Sequence, residues 1–326
     1  MIPKYIKDWL RIIEEMSTDN TYKLAWGRAI IESNYKEDFE EINDTIKINF
    51  DSIAIKMLKY YWNQGFFFKL KQAPYNNKLP VIQRIADSLV DEYKRITNSS
   101  IPVWFDKGEE TLLKHNKTFY YKQIKEVVKT LHFDVSYRFL KVKDEVLDIY
   151  NYDKKIGSFI TIKKEDSILL KNYTFVISQL LNYKWAQLLE KFNFAPRIVS
   201  KVKGISDNNI KRNSLNKYKE ELLKEFKDNK IIDFYTDKEI SLSDVSIDHV
   251  IPWSYIYSDD IWNLVITSKS NNSSKSNNIP TEEIINKLKK RNLDLVNFIS
   301  DDKMKNDLIL SMEKDILKSL YYECKM

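Results

Sequence analysis

A chain of 326 residues is too long for one minimal core and fits two domains, at most three. It has 5 glycines and 7 prolines against abundant Lys, Glu, Leu and Ile, which reads as mostly helical. The single cysteine, Cys324, excludes a disulfide framework and a cysteine-rich zinc site, and the net charge of +6 permits nucleic acid without requiring it.

The N-terminal segment MIPKYIKDWLRIIEEM lacks an apolar core or cleavage site, and no apolar run nears the roughly 18–20 residues that span a bilayer. The expectation is a cytoplasmic protein with no signal peptide and no membrane partner. About the first 140 residues read as helical. Ile53, Met57, Tyr61, Trp62 and Phe66 recur at helical spacing over 52–70. Val81, Ile82, Ile85, Ala86, Leu89, Val90 and Tyr93 do so over 80–96, where Pro80 suits the first turn. Trp9, Trp26, Trp62 and Trp104 read as packing residues, with a base-stacking platform as the alternative. Acids cluster between Glu32 and Asp51.

Between Glu145 and Lys171 the period shifts, and Ile149, Phe159, Ile160, Ile162 and Ile168 around a turn at 153–157 suggest a β-hairpin. An amphipathic helix follows, with Asn172 as its expected N-cap and Val176, Ile177, Leu180, Leu181, Trp185, Leu188, Leu189 and Phe192 on one side. A basic stretch then carries Arg197, Lys201, Lys203, Lys211, Arg212, Lys217 and Lys219 against one acid, Asp207. It reads either as a solvated face or as a phosphate-tracking surface. The last glycine is Gly204, so no Gly-rich phosphate loop lies beyond it. A helix is expected over about 215–227.

From Ile231 the texture changes again. Val245, Ile247 and His249 alternate with Ser246, Asp248 and Val250, which is strand periodicity, and Leu264 and Ile266 mark a second strand. The polar run SNNSSKSNN (270–278) leads to Pro280 and a helix with Ile284, Ile285 and Leu288; a last helix is expected over about 302–322. Phosphodiester hydrolysis needs a base that works near neutral pH, which suits His249. It also needs a divalent ion with hard oxygen ligands, which an aspartate and an amide carbonyl supply, as Asp248 and Asn272 do. His115 and His132 lack such company and read as structural. Asp259 and Asp260 read as loop residues, with a distal ligand role as the alternative.

The stretch DHVIPWSY…DDIWNLV…SNNSSKSN resembles the HNH endonucleases of the ββα-metal, or His-Me finger, fold. The segment is similar to the HNH domains of RNA-guided CRISPR effectors and of bacterial restriction-type enzymes. The resemblance implies His249 as general base, Asp248 and Asn272 as metal ligands, Asn263 tying the two strands together to orient the base, and Lys275 near the scissile phosphate. It covers some 45 to 65 residues and does not extend to residues 1–230. Many relatives carry two Cys-x-x-Cys pairs that bind a structural zinc. Asp233 with Thr236 and Ser268 with Asn271 stand at those positions here, so no structural zinc is expected, and packing by Phe234, Tyr235, Trp253 and Trp262 should replace it.

The expected fold is mainly α with a small α+β part. The expected domains are a helical domain at 1–142, a hairpin and helices with the basic stretch at 143–230, an HNH nuclease domain at 231–298 and a C-terminal helix at 299–326. The expected function is a Mg²⁺- or Mn²⁺-dependent DNA endonuclease of restriction or anti-phage defence, with Arg197, Lys201, Lys203, Lys211 and Arg212 on the nucleic acid. Double-strand cleavage then needs a homodimer, an unidentified protein partner or sequential nicking. The alternatives are a homing or mobile-element nuclease and a non-catalytic nucleic-acid-binding protein with a retired HNH fold.

Overall fold

The computed structural model describes residues 2–74, 79–153, 155, 157–193, 196–203, 214–226 and 230–325, and gives the backbone alone for Ser200 and Lys203. The chain divides into two compact units. The first is 1–99 with 103–193 and 198–208, and the second is 209–326 with 100–102 and 194–197. The fold is mainly α with small antiparallel sheets. Among the described residues, no helix is long and apolar enough to cross a membrane.

The first unit runs α1 (Lys4–Glu15), α2 (Tyr22–Tyr35), β1 (Glu40–Ile42), β2 (Thr45–Asn49), α3 (Phe50–Trp62), α4 (Val81–Thr97), α5 (Phe105–Thr130), α6 (Ser136–Phe139), β3 (Lys141–Val142), β4 (Glu145–Val146), β5 (Phe159–Lys163), α7 (Lys164–Asn172), α8 (Thr174–Phe192) and α9 (Ile198–Lys203). Helical spacing over 52–70 becomes α3 followed by a π-turn at Asn63–Phe67. The spacing over 80–96 becomes α4, which begins just after Pro80 and buries Ile82, Ile85, Ala86, Leu89, Val90 and Tyr93. Trp9, Trp26 and Trp62 are fully buried, and Trp104 stacks on Phe67 with ring centroids 4.3 Å apart. All four tryptophans therefore serve packing.

The expected boundary at 142/143 does not separate two bodies. β5 pairs antiparallel with β2, with Ile46 opposite Ile162 and Ile48 opposite Ile160, which draws the segment after 143 into the first unit. Among the described residues, the hairpin expected between 145 and 171 is reduced to one antiparallel bridge, Asn151 with Thr161. A short β3–β4 hairpin precedes it, and β5 finds its partner more than a hundred residues upstream. Alternation shows that a strand has one buried face but not which strand it joins. Asn172 closes α7 instead of capping α8.

The second unit runs α10 (Asn216–Leu223), β6 (Ile231–Ile232), β7 (Glu239–Ile240), β8 (Val245–His249), α11 (Trp253–Ile256), β9 (Leu264–Ser268), α12 (Lys269–Lys275), α13 (Glu282–Leu295), α14 (Asp302–Glu313) and α15 (Ile316–Lys325). β8 and β9 pair antiparallel, from Val245 opposite Ser268 to His249 opposite Leu264. Their inner residues share one core with Leu288 of α13, Leu308 of α14 and Leu317, Leu320 and Cys324 of α15. Full burial of one such leucine contributes about 1.5–3 kcal/mol, so the C-terminal helices are part of this unit and not the separate 299–326 segment expected. The single helix expected over 302–322 breaks at Lys314 and Asp315, where Asp315 takes a left-handed φ of 46°.

The polar run after β9 is also more ordered than its composition suggests. Residues 269–275 form α12, which buries none of its side chains. Ser268 caps it by accepting from the Asn271 N–H at 3.2 Å, and Ser276 ends it in a positive-φ conformation. Strand, strand and short helix then follow in the order that places Asp248, His249 and Asn272.

Candidate active site

Asp248 and His249 are the last two residues of β8. Regular alternation would send them to opposite faces. The strand ends at His249, however, and both side chains line one cavity of ≈ 420 Å³ together with Ser246, Asp259 and Asn272. Pro252, three residues on, opens α11 and prevents the strand from continuing.

Asn263 holds that strand end in place. Its amide accepts from the Ile251 N–H at 2.8 Å and donates to the Ile251 carbonyl at 2.8 Å. Its own carbonyl accepts from the Val250 N–H at 2.9 Å. Fully buried, it ties the segment after His249 to the entry of β9.

Asn272 comes from α12. Its amide nitrogen donates to Ser246 Oγ at 2.7 Å and to the Ile247 carbonyl at 3.1 Å. Fixing the nitrogen fixes the amide plane and leaves the carbonyl oxygen available as a donor to an ion. Asp248 is partly committed. Its Oδ2 meets the Lys275 ammonium at 2.9 Å and also accepts from the Tyr235 hydroxyl. Among the described residues, its Oδ1 takes no hydrogen bond. Burial, and next the charge of Asp248, push the Tyr235 hydroxyl far above the usual tyrosine range, so it stays a donor at any working pH. Two protein oxygens beside an open cavity fit a hard divalent ion that keeps most of its water. Two larger clefts, ≈ 480 Å³ in the first unit and ≈ 720 Å³ in the second, bring together no comparable set of groups.

Lys275 donates to the His249 carbonyl at 2.6 Å as well as pairing with Asp248. Its ammonium thus balances charge within the site. His249 is nearly buried, and its Nε2 lies 3.0 Å from Asp259 Oδ1. His132 is engaged elsewhere by the Tyr152 hydroxyl at 2.9 Å, as a structural histidine should be, and His115 is exposed on α5.

Asp233, Thr236, Ser268 and Asn271, the four positions expected to stand in place of a zinc site, form a hydrogen-bonded knot. Asp233 Oδ1 accepts from the backbone N–H groups of Tyr235 (2.9 Å) and Thr236 (3.1 Å). Its Oδ2 accepts from Thr267 Oγ1 (2.8 Å), Ser268 N (2.7 Å) and Asn271 Nδ2 (2.8 Å). Burial pushes this carboxyl up, but the Ser268 N–H and the Asn271 and Thr267 side chains outweigh it and hold it far below the usual carboxylate range. The expected replacement by aromatic packing is therefore incomplete. Phe234 and Trp262 do join the core, yet a saturated carboxylate is what links β6–β7, β9 and α12.

The basic stretch fares less well. Arg197 is exposed, but Lys201 is fully buried in the first unit and offers no ammonium to a phosphate. Its neighbours Ile198 and Val202 pack inward on the one-and-a-half-turn α9, and the Val202 carbonyl accepts from Arg28 at 3.1 Å. Lys211 and Arg212, and the side chain of Lys203, lie outside the described residues. Sequence reasoning gave Tyr235 a packing role only and Ser246 no role at the site. β8 carries Ser246 to the site, and Tyr235 reaches it from the connection between β6 and β7, which the Phe234 N–H ties to the Ile266 carbonyl of β9 at 3.0 Å.

A two-stranded antiparallel sheet followed by a short helix, with Asp-His at the end of one strand and Asn on the helix, is the ββα arrangement of HNH endonucleases. Residues 233–281 match the family model described as HNH endonuclease. Two curated relatives match over 60 residues, which is 18% of this chain. They are the CRISPR-associated endonucleases Cas9 of Streptococcus mutans (38% identical) and Listeria innocua (40% identical). The chain spans 4% of the length of each. No solved structure gives a significant match.

Proposed function

We propose that the chain is a divalent-metal-dependent endonuclease that hydrolyses phosphodiester bonds in DNA. The observation that carries this reading is the convergence of Asp248, His249 and Asn272 on one cavity, with the Asn272 amide anchored through its nitrogen. Asp248 Oδ1 and the Asn272 carbonyl would hold one Mg²⁺ or Mn²⁺. When bound, such an ion offsets the charge that builds on the phosphate and the leaving oxygen. His249 takes the proton of the attacking water, and Asn263 keeps the strand end that carries it from moving. Lys275, already within the site, would turn part of its charge to the phosphate. Likeness to two CRISPR-associated endonucleases supports a role in restriction or anti-phage defence.

Supercoiled plasmid with Mg²⁺ tests the reading. The wild type nicks or linearises it, a chelator stops it, and His249→Ala lowers the rate by about 10²–10⁴-fold. Asn272→Ala loses most activity while staying folded. A His249→Ala protein that cuts as fast as the wild type removes His249 as the base.

A further inference from the structure

The second unit holds a carboxylate with no assigned role against the catalytic histidine. Asp259 Oδ1 lies 3.0 Å from His249 Nε2, and the side chains of the pair are only 11% and 8% exposed. The loop that carries Asp259 is pinned on both sides. Its own main-chain carbonyl accepts from the Tyr218 hydroxyl of α10 at 2.5 Å. Next to it, the Asp260 carbonyl accepts from the Asn263 N–H at 2.9 Å, and Asp260 Oδ2 accepts from Ser258 Oγ at 2.5 Å. Asp259 is thus presented to the ring by the same short connection that leads into Asn263.

An ionised carboxylate can only accept hydrogen bonds, so the ring nitrogen facing it must donate. A neutral imidazole has a single N–H, and the partner of one nitrogen decides the state of the other. We propose that Asp259 is a positioning residue that fixes His249 as the Nε2–H tautomer and leaves Nδ1 with the lone pair that takes the proton from water. This rests on the reading of His249 as the base. It also removes Asp259 from the candidate ion ligands, because its Oδ1 is committed to the imidazole. The step balances: water loses a proton to Nδ1, the ring becomes an imidazolium with an N–H on each nitrogen, the oxygen of the water bonds to phosphorus, and the bond from phosphorus to the leaving 3′ oxygen breaks, that oxygen taking a proton from solvent. Asp259 then faces a cation, which it stabilises where it stands without accepting the proton. In Ser-His-Asp triads, replacing the equivalent aspartate by asparagine leaves the geometry intact and lowers kcat by about 10⁴ through the wrong tautomer.

Two measurements on the full chain decide the proposal. The sequence holds 3 histidines, so ring ¹⁵N–¹H correlation spectra of the ¹⁵N-labelled, metal-free protein separate easily, with His249 assigned by its loss in His249→Gln. The wild type should show Nε2–H at His249, and Asp259→Ala should show a mixture of tautomers. A wild-type Nδ1–H form, or an unchanged tautomer in Asp259→Ala, overturns the proposal. In plasmid nicking, Asp259→Ala should lower kcat by tenfold or more with KM within about twofold, since Asp259 acts through the His249 ring. An unchanged kcat in a cutting enzyme overturns it as well. If Asp259→Ala fails to fold, Asp259→Asn keeps the shape of the side chain and can present either an oxygen or an NH₂ to the ring. It should lose the single-tautomer signature, and keeping that signature with full kcat overturns the proposal. The spectra need neither metal nor substrate, so a protein that never cuts DNA would sink the nuclease reading and still leave the tautomer answered.

Discussion

Asp233 and Asp248 lie in the same small unit under opposite conditions. Asp233 accepts five hydrogen bonds, from Tyr235, Thr236, Thr267, Ser268 and Asn271, and has no capacity left for a ligand. Asp248 is almost as buried, yet only one of its oxygens is engaged, by Lys275 and Tyr235. Chemically identical groups are thus divided between structure and site by how many donors surround each. A saturated carboxylate fixes strands, whereas an unsaturated one beside a cavity keeps a coordination position open. One carboxylate clamps this region with backbone and side-chain donors.

The contrast breaks most sharply under the same substitution at both places. Asp248→Asn should lower cleavage by at least a hundredfold while the melting temperature barely moves. Asp233→Asn should do the reverse. Its new NH₂ would face Thr267, Ser268 and Asn271, all donors, and leaving those groups unsatisfied costs roughly 3 kcal/mol or more. Thermal unfolding and the activity of the folded fraction separate the two effects, and equal losses of both kinds in both variants would erase the distinction.

Acid offers a second, smaller handle. The Asp233 carboxyl is depressed in the folded state, so its contribution is fully present above the unfolded value near about 3.9 and is lost as pH falls below it toward the folded value. The wild type should therefore lose stability steeply below about pH 4. Asp233→Asn should unfold with a shallower acid slope from a lower plateau, as followed by circular dichroism. A slope unchanged by the substitution would mean that other carboxylates govern acid unfolding.

The smallest effect sharpens the other half of the contrast. Lys275 holds its ammonium on the almost buried Asp248, so Lys275→Met should tighten Mn²⁺ binding by a few-fold, because the ammonium no longer competes for the carboxylate. Electron paramagnetic resonance of free Mn²⁺ reads this without any cleavage. Weaker binding in Lys275→Met would show that the lysine supports the ion instead of competing for its ligand.

The sequence was most informative where chemistry and spacing coincide. Asp248, His249, Asn263, Asn272 and Lys275 are recognisable together because each needs a particular residue type at a particular distance along one strand–strand–helix unit. They do meet around that unit. Helical spacing likewise announced α3, α4 and α8, since a buried face of period 3.6 is written in consecutive residues. The basic stretch was less legible. Charge composition does not say which lysine turns inward, and Lys201 is buried beside Ile198 and Val202.

What the sequence alone determined is the local alphabet: helices from periodicity, strands from alternation, and a set of candidate site residues from their types and order. Tertiary structure alone decided the pairing of β5 with β2, the inclusion of α14 and α15 in the core of the second unit, the saturation of Asp233 and the contact of Asp259 with His249. Each of these depends on groups that are not chain neighbours meeting in the folded unit. Nothing in a residue's own neighbourhood records which distant donor, strand or ring will be there to meet it.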